Sequence, residues 1–98
     1  MTKRQYENLK KGDSLFFART MPVFGYYEIH EVHLVTKYDD HCTITDTKTK
    51  QSFLLDIKNV LTNLFIVRKE ASDYLKSEKE KNKKVKVYNK ESEKDSDE

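Results

Sequence analysis

Residues 26–37 read Tyr26-Tyr27-Glu28-Ile29-His30-Glu31-Val32-His33-Leu34-Val35-Thr36-Lys37, and the alternation of their apolar positions decides the fold class. Aromatic and β-branched side chains dominate, which suits a pleated, half-buried strand. Tyr27 and Ile29 fall on odd numbers, whereas Val32 and Leu34 fall on even ones. Side chains of a strand alternate between its faces, so a regular strand would point the two pairs in opposite directions. A β-bulge near His30-Glu31 is therefore expected, restoring one inner face and bending the strand. Long bent second strands are how small barrels turn a corner.

Upstream, Gly12 and Asp13 mark a turn, because glycine permits a positive φ and aspartate bonds its own backbone. Residues 15–19, Leu-Phe-Phe-Ala-Arg, then predict a first strand, and Pro22 and Gly25 mark the loop after it. Downstream, residues 38–41 form a polar turn and residues 42–45 a third strand with Cys42 and Ile44 inward. Residues 46–49 make a hairpin turn, and residues 51–55 a fourth strand with Phe53 and Leu55 inward. Residues 56–60 look like one turn of 3₁₀ helix, and residues 64–67 a fifth strand. From Arg68 the spacing becomes helical, with Ala71, Tyr74 and Leu75 on one face.

The expected fold is therefore mainly β with one short helix: an SH3-like small five-stranded barrel, a C-terminal helix and a disordered charged tail. Its expected core is Leu15, Phe17, Ile29, Val32, Leu34, Ile44, Phe53, Leu55 and Phe65. An open antiparallel sheet with the helix laid across it is the alternative. The expected division is a barrel domain with its terminal helix at residues 1–76 and a flexible charged tail at residues 77–98.

The chain has 98 residues, enough for one domain. With the tail set aside, roughly 70 residues remain to fold, a size that leaves little room for an internal ligand cavity. Function is then expected on the surface. Charge is unevenly spread: residues 74–90 hold seven lysines against two glutamates, whereas residues 91–98 hold one lysine against five acids. A basic segment followed by an acidic end is not a uniform face for nucleic acid.

The one cysteine, Cys42, excludes an internal disulfide framework and suits a reducing compartment. No apolar run follows the basic N-terminal residues, so no secretory signal is expected. No stretch approaches the roughly 20 apolar residues of a membrane span. A cytoplasmic location without membrane association is expected.

The group of metal-ligand types is His30, His33, His41, Cys42, Asp39 and Asp40. Odd spacing on a strand sends His30 and His33 to opposite faces, and His41 and Cys42 diverge as neighbours, so no metal site is expected. Cys42 with a histidine is the one pairing suited to nucleophilic catalysis, but it occupies a core position, where a small thiol packs. Two glycines cannot build a phosphate loop. No enzyme activity and no cofactor are expected.

Aromatic residues are the stronger lead. Phe24, Tyr26, Tyr27 and Tyr38 lie in or beside the first two loops, which approach each other in an SH3-like barrel. Exposed aromatic rings there could stack on bases or grip a peptide, with Arg19, Lys10 and Lys37 supplying charge. For Tyr26 and Tyr38 capping the core is an equal alternative, and Tyr27 belongs in the core. Lys83-Lys84-Val85-Lys86-Val87-Tyr88 forms a second candidate, because an extended basic segment can add to a sheet edge or lie on an acidic surface. The candidate partner-binding residues are thus Arg19, Phe24, Tyr26, Lys37, Tyr38, Lys83, Lys84 and Lys86.

Residues 9–17, 53–57 and 64–75 resemble small SH3-like barrel proteins of low-GC Gram-positive bacteria and their phages. That group carries a Gly-Asp turn before an aromatic strand and a phrase ending in Arg-Glu-Glu-Ala that opens a short helix. Phe65, Arg68, Glu70, Ala71 and Leu75 match that phrase, whereas Val67 stands where the pattern has a threonine N-cap. The resemblance implies a barrel-like fold and a bacterial or phage source, and carries over no catalytic or binding residue. The expected function is a non-catalytic binding protein of phage or mobile-element type that docks on, and could inhibit, a host protein in the host cytoplasm. The alternative is a small barrel that binds DNA or RNA.

Overall fold

The computed structural model describes residues 1–83. Helix α1, Lys3–Glu7, comes first and is followed by strands β1, Ser14–Met21, and β2, Tyr26–Lys37. Strands β3, His41–Asp46, and β4, Ser52–Asp56, lead to helix α2, Ile57–Asn63. Strand β5, Leu64–Phe65, and helix α3, Arg68–Lys81, complete the described fold. The strands form one antiparallel sheet in the order β4-β3-β2-β1-β5. No helix among the described residues is long and apolar enough to cross a membrane.

The sheet is open and does not close into a barrel. Its edges are β4 and β5, and α2 occupies the connection between them. The two residues of β5 pair with Phe16 and Phe17 of β1, which leaves nothing of that strand to meet β4. Residues 66 and 67, expected in the strand, lie exposed beyond it.

The expected bulge at His30-Glu31 is absent. β1 and β2 pair without a break from Ser14↔His33 to Met21↔Tyr26. The change of phase in β2 has another cause: both faces of the strand are buried, in different halves. Val32 and Leu34 join the larger core with Leu15, Ile44, Val60 and Leu64, beneath Tyr6 of α1. Tyr27 and Ile29 face the other way and pack with Ala18, Phe65 and the α3 residues Ala71 and Leu75. Six of the nine expected core residues are buried, whereas Ile29, Phe53 and Phe65 are half-buried. Each fully buried leucine or isoleucine of the larger core contributes roughly 2 kcal/mol of hydrophobic stabilisation.

β2 does shift register, but later, between Leu34 and Thr36 against β3. The extra residue, Val35, reverses the alternation and turns Lys37 onto the face of the larger core, opposite Cys42.

Two helices depart from the sequence-based expectation. α1 is held by a capping box in which Gln5 N–H donates to the Thr2 hydroxyl at 3.1 Å and Thr2 N–H donates to the Gln5 side chain at 2.9 Å. α2 is a true α-helix rather than one 3₁₀ turn, because Asp56 caps it by accepting Asn59 N–H at 2.9 Å and Val60 anchors it in the core. α3 begins at Arg68 as the spacing predicts, without a side-chain cap from Val67, and continues to Lys81. The flexible tail expected at residues 77–98 falls mostly outside the described residues.

Candidate binding surface

β3 ends at Asp46, opposite Val32. The first half of β2 therefore extends past it, and Tyr26, Glu28 and His30 share a face with Arg19 and Phe17 of the paired strand. Phe53 of β4 reaches the same place. Its ring lies 5.2 Å from that of Phe17 and 5.7 Å from that of His30. The Arg19 guanidinium lies over two rings, 5.2 Å from Phe53 and 5.5 Å from Tyr26. Such cation–π contacts position the guanidinium without neutralising it.

A hydrogen-bonded chain fixes the centre of this face. His30 Nδ1 lies 2.8 Å from Asp46 Oδ2, and His30 Nε2 lies 3.0 Å from the Tyr26 hydroxyl. Asp46 is buried and its second oxygen accepts the backbone N–H groups of Lys48 at 2.7 Å and Thr49 at 3.0 Å. The Thr49 N–H, then His30 and the Lys48 N–H, hold the Asp46 carboxyl down to about 2. An ionised Asp46 only accepts, so Nδ1 of His30 donates in that bond. Glu28 Oε1 stands 3.3 Å from the Tyr26 hydroxyl. Burial, followed by the Glu28 charge, raises the Tyr26 pKa, so the phenol stays neutral near pH 7. The face presents an oriented phenol, a guanidinium over two rings and a half-buried Phe53 ring.

Cys42 is fully buried on this side of the sheet, and burial pushes its thiol up to about 11. Among the described residues no three His, Cys, Asp or Glu side chains gather to hold a metal ion.

The residues singled out from sequence do not form one surface. Arg19, Phe24 and Tyr26 lie together at the β1–β2 corner, where Pro22–Phe24 makes a 3₁₀ turn closed by Gly25 at φ 66°. Phe24 is exposed there. Lys37 and Tyr38 lie at the opposite end of β2, whose 12 residues at about 3.3 Å each separate the two groups by roughly 35 Å. The expectation that the first two loops approach each other fails for that reason. Lys37 is engaged internally: its ammonium donates to the carbonyls of Glu7 and Leu9, both at 2.8 Å, and of Tyr6 at 3.2 Å. Tyr38 is exposed and stacks on His41 at 4.7 Å. Lys83 follows α3, 3.8 Å from Glu80, and Lys84 and Lys86 lie outside the described residues.

Sequence reasoning assigned no binding role to Glu28 or Asp46, placed Phe53 in the core, and weighed His30 as a metal ligand or a partner of Cys42. Even spacing from Tyr26 to His30 was the available signal for one shared face. Comparison with protein-family models, curated proteins and solved structures finds no match.

Proposed function

We propose that this protein is a non-catalytic binding domain that docks on a partner protein through the face formed by Arg19, Tyr26, His30 and Phe53. The observation that carries this reading is the Arg19 guanidinium held over both Tyr26 and Phe53. Arginine and tyrosine are enriched among residues that dominate protein interfaces, and side chains already fixed lose less entropy on binding. Glu28 and Asp46 place negative charge in the same face, which favours a protein partner over a phosphate backbone.

The four-strand meander whose fifth strand returns to β1 supports an SH3-like architecture in opened form. The resemblance of residues 9–75 to small Gram-positive and phage proteins supports a host protein as the target, met in the host cytoplasm. DNA or RNA is the competing partner.

The test compares wild type with Arg19→Ala and Tyr26→Ala, each first shown to keep its dispersed amide spectrum. Each is used as immobilised bait in a Gram-positive lysate and titrated with single-stranded DNA and RNA at two salt concentrations. The expected result is one protein retained by wild type and lost by at least about tenfold in either variant, without salt-steep oligonucleotide binding. Oligonucleotide binding that weakens steeply with salt and needs Arg19 would overturn the reading in favour of nucleic acid.

A further inference from the structure

β4 is one edge of the sheet, and its outer side is open. Asp46 N–H donates to the Gln51 carbonyl at 2.8 Å and Ile57 N–H donates to the Asp40 carbonyl at 2.9 Å, one bond at each end of the β3–β4 pair. Both fit the register that sets Ile44 opposite Phe53 and Cys42 opposite Leu55. Successive residues of an antiparallel strand direct their backbone groups to opposite sides, so Gln51, Phe53 and Leu55 bond β3. Ser52, Leu54 and Asp56 therefore aim theirs away from β3, where no strand lies among the described residues.

We propose that this edge pairs with the same edge of a second copy of the chain, in a two-fold dimer that sets Leu54 opposite Leu54. This goes beyond the docking face proposed above and does not depend on it.

Three observations select a second copy as the occupant. The first is that β4 lacks what keeps sheet edges apart. Edge strands that avoid pairing are short, bulged, or guarded by lysine or proline. β5, the other edge, has only two residues. β4 has five, reads Ser-Phe-Leu-Leu-Asp, and pairs with β3 without a register shift.

The second observation is Leu54 itself. It is the middle residue of β4 and is 69% exposed, more than any other large apolar side chain among the described residues. It stands on the face opposite the larger core, beside Thr43 and on the same side as the bonded hydroxyls of Thr45 and Ser52. A two-fold axis at Leu54 brings two such leucines to about 5.5 Å between their Cα atoms, each covering the other.

The third is the fit of the backbone groups. Antiparallel pairing about that axis lets each Leu54 N–H donate to the Leu54 carbonyl of the second copy. Each Asp56 N–H then meets the Ser52 carbonyl of the second copy. The side chains agree, because the Asp56 carboxylate falls beside the Ser52 hydroxyl, a donor. Moving the axis to Phe53 would make as many backbone bonds but would set each Leu54 beside a Ser52 and leave the leucines apart.

A five-residue edge covers less than the roughly 1,200 Å² of a standard interface, so association belongs in about the 10–500 µM range rather than the nanomolar one. Sedimentation of the full chain across that range should show the mean mass rising from that of a monomer towards twice that value. Amide hydrogen exchange in the same samples locates the contact. The Leu54 and Asp56 amides should exchange at least about twofold more slowly at the top of the range than at the bottom. The Phe53 and Leu55 amides, bonded to β3, should be slow throughout and report that the sheet is folded. Leu54→Lys alters an exposed side chain and should stay folded by the same measure, while two facing ammonium groups weaken dimerisation at least about tenfold. A chain that remains monomeric across the range overturns the proposal. A dimer in which the Leu54 and Asp56 amides stay fast also overturns it, because another surface then holds the copies together. Slowing at Ser52 in place of Asp56 overturns the Leu54-centred register.

Discussion

His30 Nδ1 sits 2.8 Å from a carboxylate of Asp46 that also organises the β3–β4 turn, so one buried acid ties the candidate binding face to the backbone of the hairpin. Replacing Asp46 by Ala leaves His30 and two backbone N–H groups without their acceptor. The expected cost is about 2 kcal/mol at pH 7. Because the folded carboxyl is held at about 2, below its ordinary 3.8, its contribution is present above about pH 4 and is lost as pH falls towards 2. Urea unfolding of wild type and Asp46→Ala at pH 7, 4 and 2.5 checks this, and the gap between them should narrow as pH falls. A gap independent of pH would assign the effect to packing alone.

Tyr6 predicts the opposite limb of the pH profile. Its ring is buried in the larger core, and its hydroxyl bonds the carbonyl of His41 at 2.8 Å and that of Tyr38. Burial above all raises its pKa from 10.0 to about 12, and burial raises Cys42 from 9.0 to about 11. These groups ionise first in the unfolded chain. Their contribution is complete below their unfolded values and is lost as pH rises through the folded ones. Tyr6→Phe keeps the ring and should cost about 1 kcal/mol at pH 7. Its denaturation midpoint should then fall less steeply than that of wild type between pH 10 and 12.

The strands were legible in the sequence because β2 and its neighbours carry apolar residues at a period of two. The phase change in β2 was legible as well, but its meaning was not. Opposite burial of Ile29 and Val32 depends on α3 covering one half of the sheet and α1 with α2 the other, which periodicity within one strand cannot report. α1 carried its own sign in Thr2 and Gln5, a capping box, yet with five residues and one buried side chain it has almost no periodicity to detect. The His30–Asp46 pair and the bonds from Lys37 join residues 16 and 28 to 31 positions apart, and nothing local announces such contacts.

Lys37 separates a structural lysine from a partner-binding one. Three donors on its ammonium meet three carbonyls at the end of α1, where the helix dipole also favours a positive charge. Lys37→Met keeps the stem and removes the donors. It should lower stability by about 2 kcal/mol, read from denaturant midpoints. Under conditions where the variant stays folded, its affinity for whatever Arg19 binds should match wild type, since Lys37 ends β2 whereas Arg19 lies on β1 beside the opposite end of β2. Equal losses of binding in Lys37→Met and Arg19→Ala would mean that one partner spans the whole strand.

Val67 offers a gain rather than a loss. It occupies the N-cap of α3 with extended backbone, φ −113° and ψ 131°, which is what a capping residue needs, but its side chain has no oxygen to accept a helix N–H. Glu70 stands three residues later, at the position that completes a capping box. Val67→Thr would therefore let the new hydroxyl accept Glu70 N–H while the Glu70 carboxylate reaches back to the N–H of residue 67. Thr2 and Gln5 already make the same reciprocal pair in α1. Val67 is half exposed, so its replacement sacrifices little burial. The expected gain is about 1 kcal/mol, a rise in Tm of roughly 4–8 °C for a domain of this size. Thr2→Ala is the reciprocal control and should lose about as much. A Val67→Thr protein no more stable than wild type, with Thr2→Ala destabilised as expected, would show that the packing of Ala71 and Leu75 and the Arg68–Phe16 contact already fix where α3 begins.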